Sequence, residues 1–539
     1  MAEVIAEPGE MRRSLTLTGI TVNAMALIAP GAFLWTTFAA QSALANGTKS
    51  TAADMWTGLV FSLILALLTA YSYAQMAKIY PDAGAGSSYY FAEAAFLDKE
   101  KPQHQRMART AKLSVGWISH LYYWIYPGIM VAFTATLFGY IYLTVLHHQL
   151  SFLPLACVAV VFAALSGYIA FRGVSGSTIA AIGVNVIQIT TLVIVTILFI
   201  AFRLKYPHAA SSVPGLTGGG YEQHAKDIII PHSFINLLYQ STIAILLLVG
   251  FESVTALGAE ALRPEKDIQR GVLLSLIIQG GVCYLFEYFG ANLAVGSATI
   301  ATAATPAAGS TAAAPAAGGY GAAGASTAPI GDMLKTVGDK MLAGSGTTIA
   351  LIVAVTVMLA LIGTTLACLN TGVRVTYAMA RDKEMPSLLG LLHGKYATPH
   401  GGVLVLTVVS ALFGVYGVKS VNTLTQITLA SNTGTFIVYG MSCIICFVAF
   451  ASRHDRHLLK HYVVPGVGAL MNIGELLGVA YLAVKAGGDS SKNAYIALGM
   501  VGLWIVLGFL WVALNPNKHH AKSLVTDRQS SPGLTPVGS

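Results

Sequence analysis

Two short stretches carry residue types able to hold a small charged molecule. One reads Ala26-Leu27-Ile28-Ala29-Pro30-Gly31-Ala32-Phe33, the other Leu246-Leu247-Leu248-Val249-Gly250-Phe251-Glu252-Ser253. Proline removes an amide donor and clashes with the preceding turn. Glycine lets a chain leave helical geometry at little cost. Each stretch therefore reads as a break in a helix. The second half of a broken helix presents free amides, which suit an anion. The unwound carbonyls of a break suit a cation. Pro30 has no N–H, so the donors at the first break are Gly31, Ala32 and Phe33. At the second, the acceptors are the carbonyls near Leu246 and Val249, with the Glu252 carboxylate beside them. One break fits a carboxylate and the other an ammonium, which together describe a zwitterion. Simpler readings stand beside this one: a proline-kinked helix, and a Glu252 that only ties helices together.

The elements holding these residues follow from composition. Of 539 residues, 55% are hydrophobic and 10% charged, against roughly 25% charged in soluble domains. Mean hydropathy is +0.67. A bilayer core needs about 20 apolar residues per helical crossing, and such runs recur along the chain. We place about twelve spans, near 16–41, 54–80, 114–146, 152–171, 176–202, 232–260, 271–297, 345–378, 400–418, 421–450, 463–486 and 493–515. The first run lacks a small-residue cleavage site, so it reads as a span and not a signal peptide. The net charge of +8 sits in short loops and reports topology, not nucleic-acid binding. With the N-terminus inside, most Lys and Arg residues fall on the cytoplasmic side. Both termini are then expected to be cytoplasmic, in a bacterial inner membrane.

The two breaks lie five spans apart, so their helices run in opposite directions. Interrupted helices at matching positions of two inverted halves point to the central site of a transporter. Other polar residues sit within spans. Glu287 reads as a proton carrier, an amine counter-charge or a hydrogen-bonded structural carboxylate. Thr364 and Thr365 read as hydroxyl ligands of a coupling ion, or as back-bonders to their own helix. Glu475, in the eleventh span, ranks below both. Arg374 and Arg381 read as gate pairs with Glu260 or Asp382. Tyr122, Tyr123, Trp124 and Tyr126 line a site or form an interfacial belt. The Cys443-x-x-Cys446 pair lies in an apolar run and reads as packing. Residues 298–329 are rich in Ala, Pro and Gly and read as a flexible external loop. The stretch 328–344 is amphipathic and is expected on the outer surface.

These motifs resemble the amino acid–polyamine–organocation permeases along nearly the whole chain. Leu27-Ile28-Ala29-Pro30-Gly31-Ala32-Phe33 sits where that family has a glycine-rich turn. Tyr80-Pro81-Asp82-Ala83-Gly84-Ala85-Gly86-Ser87-Ser88-Tyr89-Tyr90 resembles its loop after the second helix. Gly250-Phe251-Glu252 with its sequel to Gly271, and Asn370 to Pro386, resemble two further motifs. The resemblance implies an all-α leucine-transporter fold: two inverted five-helix repeats with discontinuous first and sixth helices, plus two peripheral helices. On it, 1–15 is a cytoplasmic tail, 16–202 the first repeat, 203–231 an external loop, 232–450 the second repeat, with an external loop at 298–344, 451–515 the peripheral helices and 516–539 a disordered tail. The chain departs from the family at its Ala-Pro-Gly turn, at Leu246 where relatives carry a gating aromatic, and in a fifth span without lysine.

The expected function is a secondary transporter for an amino acid, most simply a neutral or small one, working by alternating access. A cationic amino acid or polyamine is the second reading. A channel would want a charge ring or filter carbonyls. A divalent-metal transporter would want a carboxylate at the first break and soft ligands at the second, and no metal site is expected. No enzyme is expected either, because no nucleophile–base pair is apparent. No cofactor is expected beyond a coupling ion, H+ or Na+. The partners are the small-molecule substrate and the lipid bilayer, without nucleic acid.

Overall fold

The computed structural model describes residues 15–28, 30–47, 49–81, 86–97, 106–172, 177–205, 229–290, 323–324, 326–394, 396, 398–451 and 453–514. In chain order its helices are α1 (Leu17–Ile28), α2 (Pro30–Ala43), α3 (Met55–Ile79), α4 (Ser88–Leu97), α5 (Arg106–Leu146), α6 (Phe152–Arg172), α7 (Ser177–Lys205) and α8 (Phe234–Ala244). They continue with α9 (Ser253–Ala256), α10 (Pro264–Phe289), α11 (Pro329–Met341), α12 (Gly346–Arg381), α13 (His400–Gly417), α14 (Val421–Phe450), α15 (Val464–Lys485) and α16 (Gly488–Leu514). A two-residue hairpin, Ala45–Asn46 against Lys49–Ser50, follows α2.

Among the described residues, ten helices are long and apolar enough to cross a membrane. Two more crossings are broken ones: α1 with α2, and α8 with the turn and α9 that follow it. The total is the expected twelve, and each set of five begins with a broken span. Exposed Val160, Leu165, Ile194, Ile197, Leu507 and Leu510 on α6, α7 and α16 form the lipid-facing perimeter.

Local chemistry explains several boundaries. Pro264 opens α10, where its missing N–H costs nothing. Ser420 and Thr423 cap α14 reciprocally, at 3.1 Å each way. Gly58 in α3 lets α8 approach closely, since a Cβ there would sit 2.5 Å from Gln240 Cβ.

One element differs from expectation. The family-like loop after the second span contains a helix, α4, which packs on α5. The amphipathic stretch 328–344 is helical, with Lys335 and Asp339 exposed on its polar face. Ile330, Met333, Leu334 and Val337 of α11 are buried against α12, α2 and α7. The N-terminal tail, most of the Ala/Pro/Gly-rich segment and the C-terminal tail lie outside the described residues.

Candidate functional site: two helix breaks in contact

The sixth span stops being α-helical at Ala244. A 3-10 turn, Ile245–Leu247, follows, and the Ile245 carbonyl accepts the amides of both Leu248 and Val249, at 2.9 and 3.1 Å. Gly250 then adopts φ +131°, a conformation L side chains rarely take. A Cβ there would lie 2.9 Å from Leu27 Cγ and 3.0 Å from the Ile28 nitrogen. The last turn of α1 is thus seated on Gly250, and the two breaks touch.

Hydroxyls satisfy much of the backbone freed by the break, as an apolar surround requires. Ser253 Oγ donates to the Gly250 carbonyl and Thr255 Oγ1 to the Glu252 carbonyl, each at 2.6 Å. Tyr126 of α5 donates to the Leu246 carbonyl at 3.2 Å. That carbonyl, assigned from sequence to an ammonium, thus already accepts one donor and keeps a second lone pair. The Leu248 and Val249 carbonyls have no partner among the described residues.

Glu252 is fully buried. Its Oε2 receives the Gly250 N–H at 3.0 Å and the Tyr439 hydroxyl at 2.7 Å, while Oε1 has no partner. The walls are aromatic. Phe251 packs against Tyr439, ring centroids 5.1 Å apart, and edge-on against Tyr73 at 6.1 Å. Ser442 donates to the Tyr73 hydroxyl at 3.0 Å. Tyr122 and Tyr123 pack with tilted rings, centroids 4.0 Å apart, lie within electrostatic reach of Glu252, and keep buried hydroxyls without partners. Two acceptor carbonyls, one carboxylate oxygen and two phenols therefore remain for a ligand. Trp124 instead points at Thr376, 3.3 Å away.

At the first break, Ala29 lies outside the described residues, and Pro30, Gly31, Ala32 and Phe33 form the opening turn of α2. Pro30 also leaves the carbonyl four residues earlier, that of Ala26, without its helical donor. Thr364 of α12 donates to it at 2.9 Å, and is equally close to its own Ala360 carbonyl. Thr365 bonds only the Leu361 carbonyl of its own helix, at 2.7 Å. Beside Thr364, Gln279 donates to the Met25 carbonyl at 3.1 Å and Asn185 to the Val22 carbonyl at 3.3 Å. The end of α1 is thus held by neutral side chains from α7, α10 and α12.

Glu287 is not part of the central cluster. Its Oε1 accepts from Gln41 Nε2 at 2.9 Å, and Gln240 in turn donates to the Gln41 carbonyl at 2.9 Å. Glu475 contacts Ser241 of α8, so it touches the broken span despite its peripheral helix. At the basic end of the bundle, Arg374 pairs with Glu260 at 2.6 Å. Asp382 pairs with Lys112 at 2.9 Å and not with an arginine, whereas Arg381 lies over the Tyr377 ring.

Sequence reasoning missed Tyr73, Tyr439, Ser442, Asn185, Gln279 and Ser241. Their signal was present as polar atoms in apolar spans, but nothing in the order of residues says which breaks those atoms face.

Twelve crossings, two of them broken and in mutual contact at mid-bundle, define a membrane transporter. The amino acid permease family matches residues 19–524, and the chain belongs to it. It is similar to a branched-chain amino acid permease (BcaP) of Bacillus subtilis, 23% identical over 94% of this chain and 92% of the relative. It is equally similar to a low-affinity putrescine importer (PlaP) of Escherichia coli, 23% identical over 94% of both chains. A methylthioribose transporter of Bacillus subtilis is 24% identical over 72% of this chain and 73% of its own length.

Proposed function

We propose that this permease moves a neutral amino acid with a small or apolar side chain, with both termini in the cytoplasm of a bacterial cell. One juxtaposition carries the reading. Gly250 seats the last turn of α1, at Leu27 and Ile28, on the turn that carries the Leu248 and Val249 carbonyls and the unpartnered Glu252 oxygen, and α2 opens two residues past Ile28 with the amides of Gly31, Ala32 and Phe33. The substrate carboxylate takes the amides and its ammonium takes the acceptors. Aromatic walls then favour an apolar side chain over a charged one. The branched-chain specificity in the name of one relative supports this.

A polyamine is the second reading. The free Glu252 oxygen and the tyrosine faces suit an ammonium without a carboxylate, and one relative is a putrescine importer.

We assign coupling to protons. The α1 carbonyls that could ligate sodium already accept from Asn185, Gln279 and Thr364, and Glu287 is a fully buried carboxyl bonded to Gln41 near the far end of α2. Purified protein is screened by thermal melting against leucine, alanine, arginine and putrescine, in sodium or choline and at two pH values. A bound ligand raises the melting temperature by mass action. Leucine or alanine is expected to stabilise in both salts. Stabilisation by putrescine alone would select the second reading. Gly31→Val, which fills the amide turn, removes the shift without lowering the ligand-free melting temperature.

A further inference from the structure

Among the described residues, three fully buried glutamates lie inside the spans: Glu252, Glu287 and Glu475. Their partners differ in kind. Glu252 faces a backbone N–H, which can only donate, together with the Tyr439 hydroxyl, and Glu287 faces a side-chain N–H of Gln41, which can only donate. Glu475 faces one hydroxyl, Ser241 Oγ. That hydroxyl has one hydrogen and two oxygens in reach, Glu475 Oε1 and the Leu238 carbonyl at 2.8 Å. If Glu475 is a carboxylate, one of the two contacts is oxygen against oxygen with no hydrogen between. If Glu475 is a carboxylic acid, it donates to Ser241, which donates to Leu238, and both contacts are satisfied.

The surroundings agree. Glu475 Oε2 has no partner, and among the described residues Glu475 takes part in none of the ion pairs. Its helix, α15, packs on α3, α8, α14 and α16. From α8, Tyr239 turns its ring toward Tyr481, 6.3 Å away. From α14, Cys443 faces Thr69 of α3 at 3.8 Å. A bare carboxylate here would carry a desolvation penalty of several kcal/mol.

Ser241 stands on the half-helix that precedes the break. Three consecutive polar residues hold that half-helix in place. Gln240 bonds the Gln41 carbonyl and Thr51, Ser241 meets Glu475, and the Thr242 carbonyl accepts from Asn432 at 2.7 Å. When α8 swings away to open a path, Glu475 loses its acceptor and meets water. The acid then gives its proton to water, leaving a carboxylate and a hydronium ion. The return of α8 reverses this transfer.

We infer that Glu475 is a proton-binding site on a peripheral span, loaded while α8 is closed and emptied as α8 opens. The inference rests on the alternating-access reading above but not on which substrate is carried. It is tested with Glu475→Gln, whose amide donates to Ser241 as the acid does and so preserves the packing. The carboxylic-acid C=O band is recorded by infrared difference spectroscopy on purified protein at neutral pH. Accumulation driven by a pH gradient and exchange at symmetrical pH are then measured in proteoliposomes. The expected result is a C=O band present in the wild type and missing from Glu475→Gln, with gradient-driven accumulation lost and exchange retained. An unchanged band, accumulation equal to wild type, or loss of exchange along with accumulation would each overturn the inference. If the wild type itself ignores the gradient, proton coupling falls, and the band alone decides whether Glu475 holds a proton.

Discussion

At the residue scale, Tyr439 and Gly250 define what the site tolerates. Tyr439 contributes a ring against Phe251 and a hydroxyl to Glu252. Tyr439→Phe keeps the first and deletes the second. A hydrogen bond to a charged group contributes about 1.5–3 kcal/mol, so uptake should fall by roughly ten- to a hundredfold while the melting temperature holds. Wild-type uptake in proteoliposomes would show that the hydroxyl is not part of the working site. Gly250→Ala fails for a different reason. A non-glycine residue held at its φ of +131° costs on the order of 1–3 kcal/mol, and the added Cβ meets the backbone of α1. Both melting temperature and uptake should drop. A variant that melts like wild type would mean that the turn relaxes easily, and that the breaks are not locked together.

At the element scale, the sequence reveals where helices break better than what repairs them. Pro30-Gly31 and Gly250 announce their breaks, because no continuous helix accepts them cheaply. The donor that satisfies the Ala26 carbonyl comes from Thr364, 338 residues away along the chain, and such a pairing exists only once the helices have packed. Helix α4 was illegible for a similar reason. Its loop opens with Pro and Gly, and its helical stretch is held by Tyr89 bonding Asp382, the residue that caps α12, at 2.9 Å. The Thr364–Ala26 account makes a sharp prediction. Thr364→Val leaves a buried carbonyl unpaired and should cost about 1–3 kcal/mol, read as a lower melting temperature. In a Pro30→Ala background, residue 30 regains the N–H that points at Ala26. The same Thr364→Val change should then cost measurably less, because the two sites share one acceptor. Strictly additive effects in this double-mutant cycle would show that Thr364 does not serve the orphaned carbonyl.

At the scale of the whole molecule, the two ends of the bundle are closed by different chemistry. The basic end uses charge and backbone. Leu15 donates its amide to the Glu260 carbonyl and accepts from Leu262, both at 2.9 Å. Arg374 clamps the Glu260 side chain, and Ser87 meets Thr255 of α9. The opposite end uses the amides of Gln41, on Glu287, and Gln240, on the Gln41 carbonyl, with His232 against Asp54, and carries a recess lined by Tyr140, Gln149, Ser326 and Leu424. An ion pair at a mostly buried interface holds a closed state more firmly than amides do, so removing it should bias the equilibrium toward opening at the basic end. Arg374→Gln tests this against a reporter cysteine in α9, Ala256→Cys, whose native side chain is fully buried. Loss of about 1.4 kcal/mol from the closed state shifts the open population roughly tenfold. Maleimide labelling of the cysteine should therefore quicken by about that factor. Exchange should persist while net accumulation declines, since a gate that no longer closes lets substrate leak back. Unchanged labelling would place the closing energy in the Leu15 backbone bridge instead of the ion pair.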